Sequence, residues 1–91
     1  MPRELNVIGK KLRKLRKEKK FKLSELEAKC GVLGWDVTGN TLAKIESMQR
    51  SVFDCELIIL SKVLGIQICD LYPAKVNDVK LRECLNKPAR R

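Results

Sequence analysis

Ninety-one residues make room for one domain, and an apolar share of 44% suits a modest aliphatic core rather than a disordered chain. Twenty Lys and Arg oppose eleven Asp and Glu, a formal net charge of +9. That excess favours a polyanionic partner, nucleic acid ahead of an anionic membrane, with a charge that only keeps the protein soluble as the alternative.

The first predicted helix runs from about Asn6 to Lys19, with Ile8, Leu12 and Leu15 at i, i+4 and i+7 on one face. A second covers about Leu23 to Val32. Ser24-x-x-Glu27 reads as its capping box unless Lys22 precedes the first turn, and Leu26, Cys30 and Leu33 form its inward stripe. Gly31 and Gly34 punctuate its end. Thr38 is a good N-cap for a third helix, in which Leu42 and Ile45 face inward while Asn40, Ala43, Lys44 and Ser47 face out. Gln49-Arg50-Ser51 is a polar loop. A fourth helix, about Asp54 to Leu64, carries Leu57, Leu60, Ser61 and Leu64 on its main inner stripe and Ile59 and Val63 on a second apolar face, and stops at Gly65. A short fifth helix spans Ile68 to Tyr72 before Pro73. Beyond Ala74, Asn77 or Asp78 can cap a last helix bearing Leu81, Cys84 and Leu85, followed by a basic end, Lys87-Pro88-Ala89-Arg90-Arg91. The division expected is a domain over 1–73 and an extension over 74–91. No segment repeats, and no run alternates as a strand does.

Cys30, Cys55, Cys69 and Cys84 form no C-x-x-C pair and the chain has no histidine, so no metal site is expected. Three of the four fall within apolar helical patterns, which predicts free, buried, reduced thiols in a cytoplasmic protein. No stretch reaches the length of a membrane span, and no apolar signal segment follows Met1-Pro2-Arg3-Glu4. There is no Gly-rich phosphate loop, nucleophile elbow or paired-carboxylate cleft, so neither catalysis, a cofactor nor a small-molecule substrate is expected.

The informative stretch is Thr38-Gly39-Asn40-Thr41-Leu42-Ala43-Lys44-Ile45-Glu46. Small side chains let a helix sit close in a major groove, and Asn can bond adenine in bidentate fashion. Lys44, one turn beyond Asn40, can reach guanine or a phosphate, and Thr38, Thr41 and the N–H groups of the first turn can donate to phosphate oxygens. From these nine residues alone, an ordinary amphipathic helix with a solvated outer face is an equal reading.

The ordered set of helices over residues 6–73 resembles the Cro/phage-repressor (XRE-type) helix-turn-helix family. The resemblance rests on Ile8, Leu12, Leu15 and Arg16, on Phe21 with Leu26, on Val37 to Glu46 with its Leu-Ala-Lys-Ile-Glu ending, and on Leu57, Leu60 and Leu64-Gly65-Ile66. It implies an all-α, five-helix lambda-repressor-like domain, here with a short extra C-terminal helix. It also implies a cytoplasmic, nucleoid-associated transcriptional regulator that binds double-stranded DNA as a homodimer. Asn40, Ala43 and Lys44 would face base edges with Gly39 close by, Thr38 and Thr41 would meet the backbone, and Arg50 would approach a phosphate. Arg16 and Glu46 would form a mostly buried ion pair. The residues support that pair independently, since each follows an inward apolar residue and a half-buried carboxylate needs a partner. Of the nine cations between Lys10 and Lys22, Lys20 and Lys22 are the expected phosphate neighbours, and most of the others would act only through the long-range field.

Three departures from the family stand out. The connection from Cys30 to Thr38 is several residues too long, with Trp35 filling it as core or offering a stacking surface. Glu27 replaces a small Ala, and Met48 stands where Gly often ends the recognition helix. Ile59 and Val63 can join the core, meet Leu81 and Leu85 of the tail, or form a dimer interface. The alternative function is a protein-interaction module, an antitoxin or adaptor that keeps the fold without the DNA contact.

Overall fold

The helices between residues 9 and 64 are bounded by local hydrogen bonds that their sequence supplies. The computed structural model describes residues 4–76 and 78–85. Within them the regular structure is entirely helical: α1 (Gly9–Glu18), α2 (Leu23–Val32), α3 (Gly39–Glu46), α4 (Asp54–Leu64), a 3₁₀ turn at Ile68–Leu71 and α5 (Asp78–Leu85). The fifth helix expected over Ile68 to Tyr72 is that single four-residue turn, so the structure does not reproduce the five-helix arrangement. Asn77, one of the two expected caps for the last helix, and the basic end lie outside the described residues.

Acidic side chains in first turns reach back to open the helices. Glu25 accepts the Lys22 N–H at 2.8 Å, Glu56 the Phe53 N–H at 3.0 Å and Asp70 the Gln67 N–H at 3.1 Å. The Ser24–Glu27 capping box is therefore not formed; α2 spans the expected Leu23–Val32, Lys22 precedes its first turn, and Glu25 does that work. Helix α1 begins at Gly9 rather than Asn6. The Asn6 carboxamide oxygen accepts the N–H groups of Ile8 (3.0 Å) and Gly9 (2.8 Å), holding the chain in a turn ahead of the helix.

Helices α1 to α4 all end in the same left-handed arrangement, in which two N–H groups just past the helix return to carbonyls of its last turn. Lys20, Gly34, Met48 and Gly65 hold the positive-φ position. After α3, the Met48 N–H donates to Ile45 O (3.0 Å) and the Gln49 N–H to Lys44 O (2.8 Å). Met48 accepts a conformation that glycine would adopt without strain, yet its side chain is buried. It thus ends α3 and adds to the core at once.

The core gathers Ile8, Leu12, Leu26, Cys30, Val37, Leu42, Ile45, Leu60, Leu64 and Leu71, with Leu15, Phe21, Trp35, Leu57, Ile59 and Val63 packed against it. Ile59 and Val63 thus pack within the chain, while Leu81 and Leu85 border a groove with Leu5, Val52, Leu57 and Tyr72 instead. Leu33 is not part of the α2 stripe; it caps the helix end and stays exposed. Cys55 and Cys69 are exposed, Cys84 is half-buried and only Cys30 is fully buried. Their place in apolar stretches misled because Cys55 lies in the outward part of the first turn of α4 and Cys69 in a surface 3₁₀ turn.

Polar side chains fix how α3 lies on α1. Arg16 donates from Nε to Glu46 Oε2 (2.6 Å) and from Nη2 to Glu46 Oε1 (3.1 Å), a bidentate pair, while its Nη1 donates to the Phe21 carbonyl (2.8 Å). The pair is mostly buried, with side-chain exposures of 11% and 6%. Asn6 Nδ2 donates to Ile45 O (3.1 Å) and Arg50 O (2.7 Å), tying the end of α3 and its following loop to the start of α1. Gly9 lets the helices touch there. A Cβ at this position would collide with the Ile45 carbonyl oxygen and stand 2.8 Å from that of Glu46.

Two outcomes follow. Glu46→Gln or Arg16→Met alone should lower unfolding free energy by about 3–5 kcal/mol, because each strands a buried charge or its donors. The Arg16→Met/Glu46→Leu double variant should recover much of that loss in denaturant melts, whereas additive losses would show that the pair is not a coupled unit. Burial pushes the Cys30 thiol up to about 11. Alkylation at pH 8 should therefore modify Cys55 and Cys69 rapidly and Cys30 only at the rate of opening, as read by mass spectrometry of modified peptides. Simultaneous modification of all three would contradict this packing.

Candidate nucleic-acid interface

With Leu42, Ile45 and Glu46 buried, the opposite side of α3 is committed to solvent. Asn40 and Lys44 are exposed, Ala43 half-buried and Ser47 exposed; these four recur at i, i+3, i+4 and i+7 and so share one face. The face carries one amide, one ammonium, one hydroxyl and one methyl, without a carboxylate. Its side-chain hydrogen bonding is local, from Ser47 Oγ to Lys44 O at 3.2 Å. At 1.5 Å rise per residue, eight helical residues span about 12 Å, which matches the width of a B-DNA major groove.

The N-terminus of α3 is less open than the residue types suggest. Thr38 caps it, its Oγ1 accepting the Thr41 N–H at 3.1 Å while its hydroxyl donates to Thr41 Oγ1 at 3.1 Å. The Gly39 N–H donates to Glu27 Oε1 at 2.7 Å. Of the first-turn N–H groups expected to meet a phosphate, those of Gly39 and Thr41 are already satisfied by the chain, which corrects that expectation. Glu27 is thus an acidic cap supplied by α2 to the next helix. Its carboxylate sits where the helix dipole favours an anion. Gly39 suits that contact, since a Cβ there would lie 3.2 Å from the same oxygen.

The long connection from α2 to α3 is accommodated by Gly34 in the left-handed region, by Trp35 returning its N–H to Cys30 O (3.0 Å), and by buried Val37. The Trp35 ring packs against the core.

The basic side chains divide differently from the expectation. Lys20 and Lys22 are exposed, one at the turn after α1 and the other ahead of α2. Leu23, next to Lys22, borders a groove with Arg13, Ala43 and Ser47, so the start of α2 flanks the outward face of α3. Arg50 is already engaged. It donates from Nη1 and Nη2 to the Glu56 oxygens at 2.9 and 3.0 Å, and from Nη1 to Ser51 O at 3.1 Å. The hydrogen bond to Glu56, helped by that carboxylate's charge, holds the guanidinium pKa above its usual value despite partial burial. Arg50 therefore braces the loop after α3 against α4 and is not a ready phosphate contact. Sequence reasoning missed Glu56, although an acid three residues into a helix and six beyond an Arg is a readable signal.

A second set of cations, most of them expected to act only through the long-range field, is brought together on one groove. Lys10, Arg13, Lys14 and Lys17 of α1 line a groove with Glu46, Ser47 and Met48. Among the described residues, no cluster of three or more His, Cys, Asp or Glu side chains could hold a metal ion, and no helix is long and apolar enough to cross a membrane. Comparison with models of known families, with curated proteins and with solved structures returned no match.

Proposed function

We propose that this chain binds double-stranded DNA sequence-specifically, with α3 entering the major groove, and that it acts as a transcriptional regulator of the Cro/phage-repressor (XRE-type) helix-turn-helix kind. The observation that carries the reading is the outward face of α3. Asn40, Ala43, Lys44 and Ser47 stand together toward solvent, while Arg16, Glu46, Asn6 and Gly9 hold the opposite side against α1. Asn40 supplies the bidentate donor–acceptor pair that suits adenine, and Ala43 the small apolar contact that suits a thymine methyl. Lys44 suits guanine or a phosphate, and Lys22, Lys20 and Thr38 supply backbone contacts. One such domain covers one half-site. Two copies on a pseudo-palindrome, with half-sites about 34 Å apart, complete the proposal.

One observation favours a second reading, an antitoxin or adaptor that uses the fold for protein contact. Leu5, Val52, Leu57, Tyr72, Leu81 and Leu85 line an apolar groove beside α5. The two readings separate by salt. Phosphate contacts make log K fall steeply with log salt, whereas an apolar partner binds with little salt dependence.

Duplexes selected from a random pool and titrated by fluorescence anisotropy test the first reading. Asn40→Ala should cost about 1–3 kcal/mol on the selected duplex and leave random duplex binding unchanged; equal loss on both would remove Asn40 as a base reader. Glu27→Gln removes a negative charge beside the Gly39 N–H. It should tighten binding to selected and random duplexes alike while lowering fold stability by about 0.5–1 kcal/mol. Weaker DNA binding with unchanged stability would contradict the placement of that carboxylate near the phosphates.

A further inference from the structure

Four cations on α1 form a surface that the α3 face does not account for. Lys10, Arg13, Lys14 and Lys17 recur at i, i+3, i+4 and i+7 and so share one side of the helix. All four are exposed, and none takes part in an ion pair among the described residues. Each has two like-charged neighbours three or four positions away on that face, an arrangement that destabilises an isolated helix. The one carboxylate bordering the groove, Glu46, is already held by Arg16, which leaves the four cations open to an external counter-charge.

The groove is shallow and open to solvent, and is bounded on its other side by the end of α3, at Glu46, Ser47 and Met48. It adjoins a second groove lined by Arg13, Arg16, Leu23, Ala43, Glu46 and Ser47. Ala43 and Ser47 belong to the outward face of α3, so the cationic ridge and that face are one continuous surface. Because α3 is about as long as the major groove is wide, its last turn reaches the groove wall, where a phosphate strand runs.

We propose that this ridge is a second nucleic-acid site, in which Lys10, Arg13, Lys14 and Lys17 hold the sugar-phosphate backbone bordering the C-terminal end of α3. The proposal rests on the reading of α3 as the helix in the groove and extends it to an element that a long-range field alone would leave without contacts. The ridge adds affinity and fixes the angle of the domain on the duplex without reading sequence.

The test is the salt dependence of the full chain on a selected and a random duplex, for the unmodified protein, Arg13→Gln, Arg13→Gln/Lys17→Gln and Lys62→Gln. Lys62, on α4, borders neither groove and controls for net charge. Each phosphate left unneutralised should lower the slope of log K against log salt by about 0.9, so by about 1 and about 2 for the first two variants. Both duplexes should weaken together, repeated selection should return the same consensus, and Lys62→Gln should keep the original slope. If the double variant melts early, Lys10→Gln/Lys14→Gln reads the same slope. An unchanged slope with sequence preference intact removes the ridge and leaves the α3 reading standing. A slope lowered equally by Lys62→Gln overturns the ridge in favour of net charge alone. Flat salt dependence and no preferred sequence in the unmodified protein overturn both.

Discussion

A buried carboxylate at the end of α3 sets the terms for the rest of the molecule. The apolar contribution of α3 is small, chiefly Leu42 and Ile45, and hydrophobic contact is non-directional. Two such residues bury a helix without fixing its rotation. The Glu46 carboxylate does fix it, because leaving water is tolerable only if both oxygens are satisfied. Arg16 satisfies both and spends its third donor on the Phe21 carbonyl, so one guanidinium joins α1, the turn after it and α3. Asn6 repeats the device at the other end of α1, and Gly9 removes the side chain that would hold the helices apart. The orientation of Asn40 and Lys44 toward solvent is the consequence.

What could be read from the residues followed from how local each signal is. Helices α2 and α4 were legible to within a residue because their apolar spacing, acidic first turns and the glycines that follow all agree. The Thr38 cap and the outward set on α3 were legible for the same reason. The start of α1 was not, because Asn6 acts through backbone groups on a helix 39 residues away as well as on its own turn. Lys20 and Met48 hid two helix ends, since neither announces the left-handed conformation that it adopts. Exposed Cys55 and Cys69 show the limit of composition: an apolar neighbourhood in sequence does not choose the buried side of a short or irregular turn. Glu27 and Glu56 were misjudged or overlooked because their partners, Gly39 and Arg50, lie in other segments.

A net charge of +9 says little until the engaged cations are set apart from the rest. Arg16 and Arg50 are held by buried carboxylates and serve the fold. Lys29 lies 4.9 Å from the Phe21 ring centroid and covers it. The exposed cations of α1, with Lys20, Lys22 and Lys44, are the ones left open to the polyanion that we propose. Glu27 opposes them at the N-terminus of α3, trading some attraction for a well-capped helix.

The most direct test of the central claim is an NMR titration of the labelled chain with a duplex recovered from a random pool. Entry of α3 into the major groove predicts that the Asn40 side-chain amide, the Ala43 methyl and the Lys44 resonances shift most, while the apolar groove beside α5 stays unperturbed. Shifts concentrated at Leu57, Leu81 and Leu85, with the α3 face silent, would contradict it.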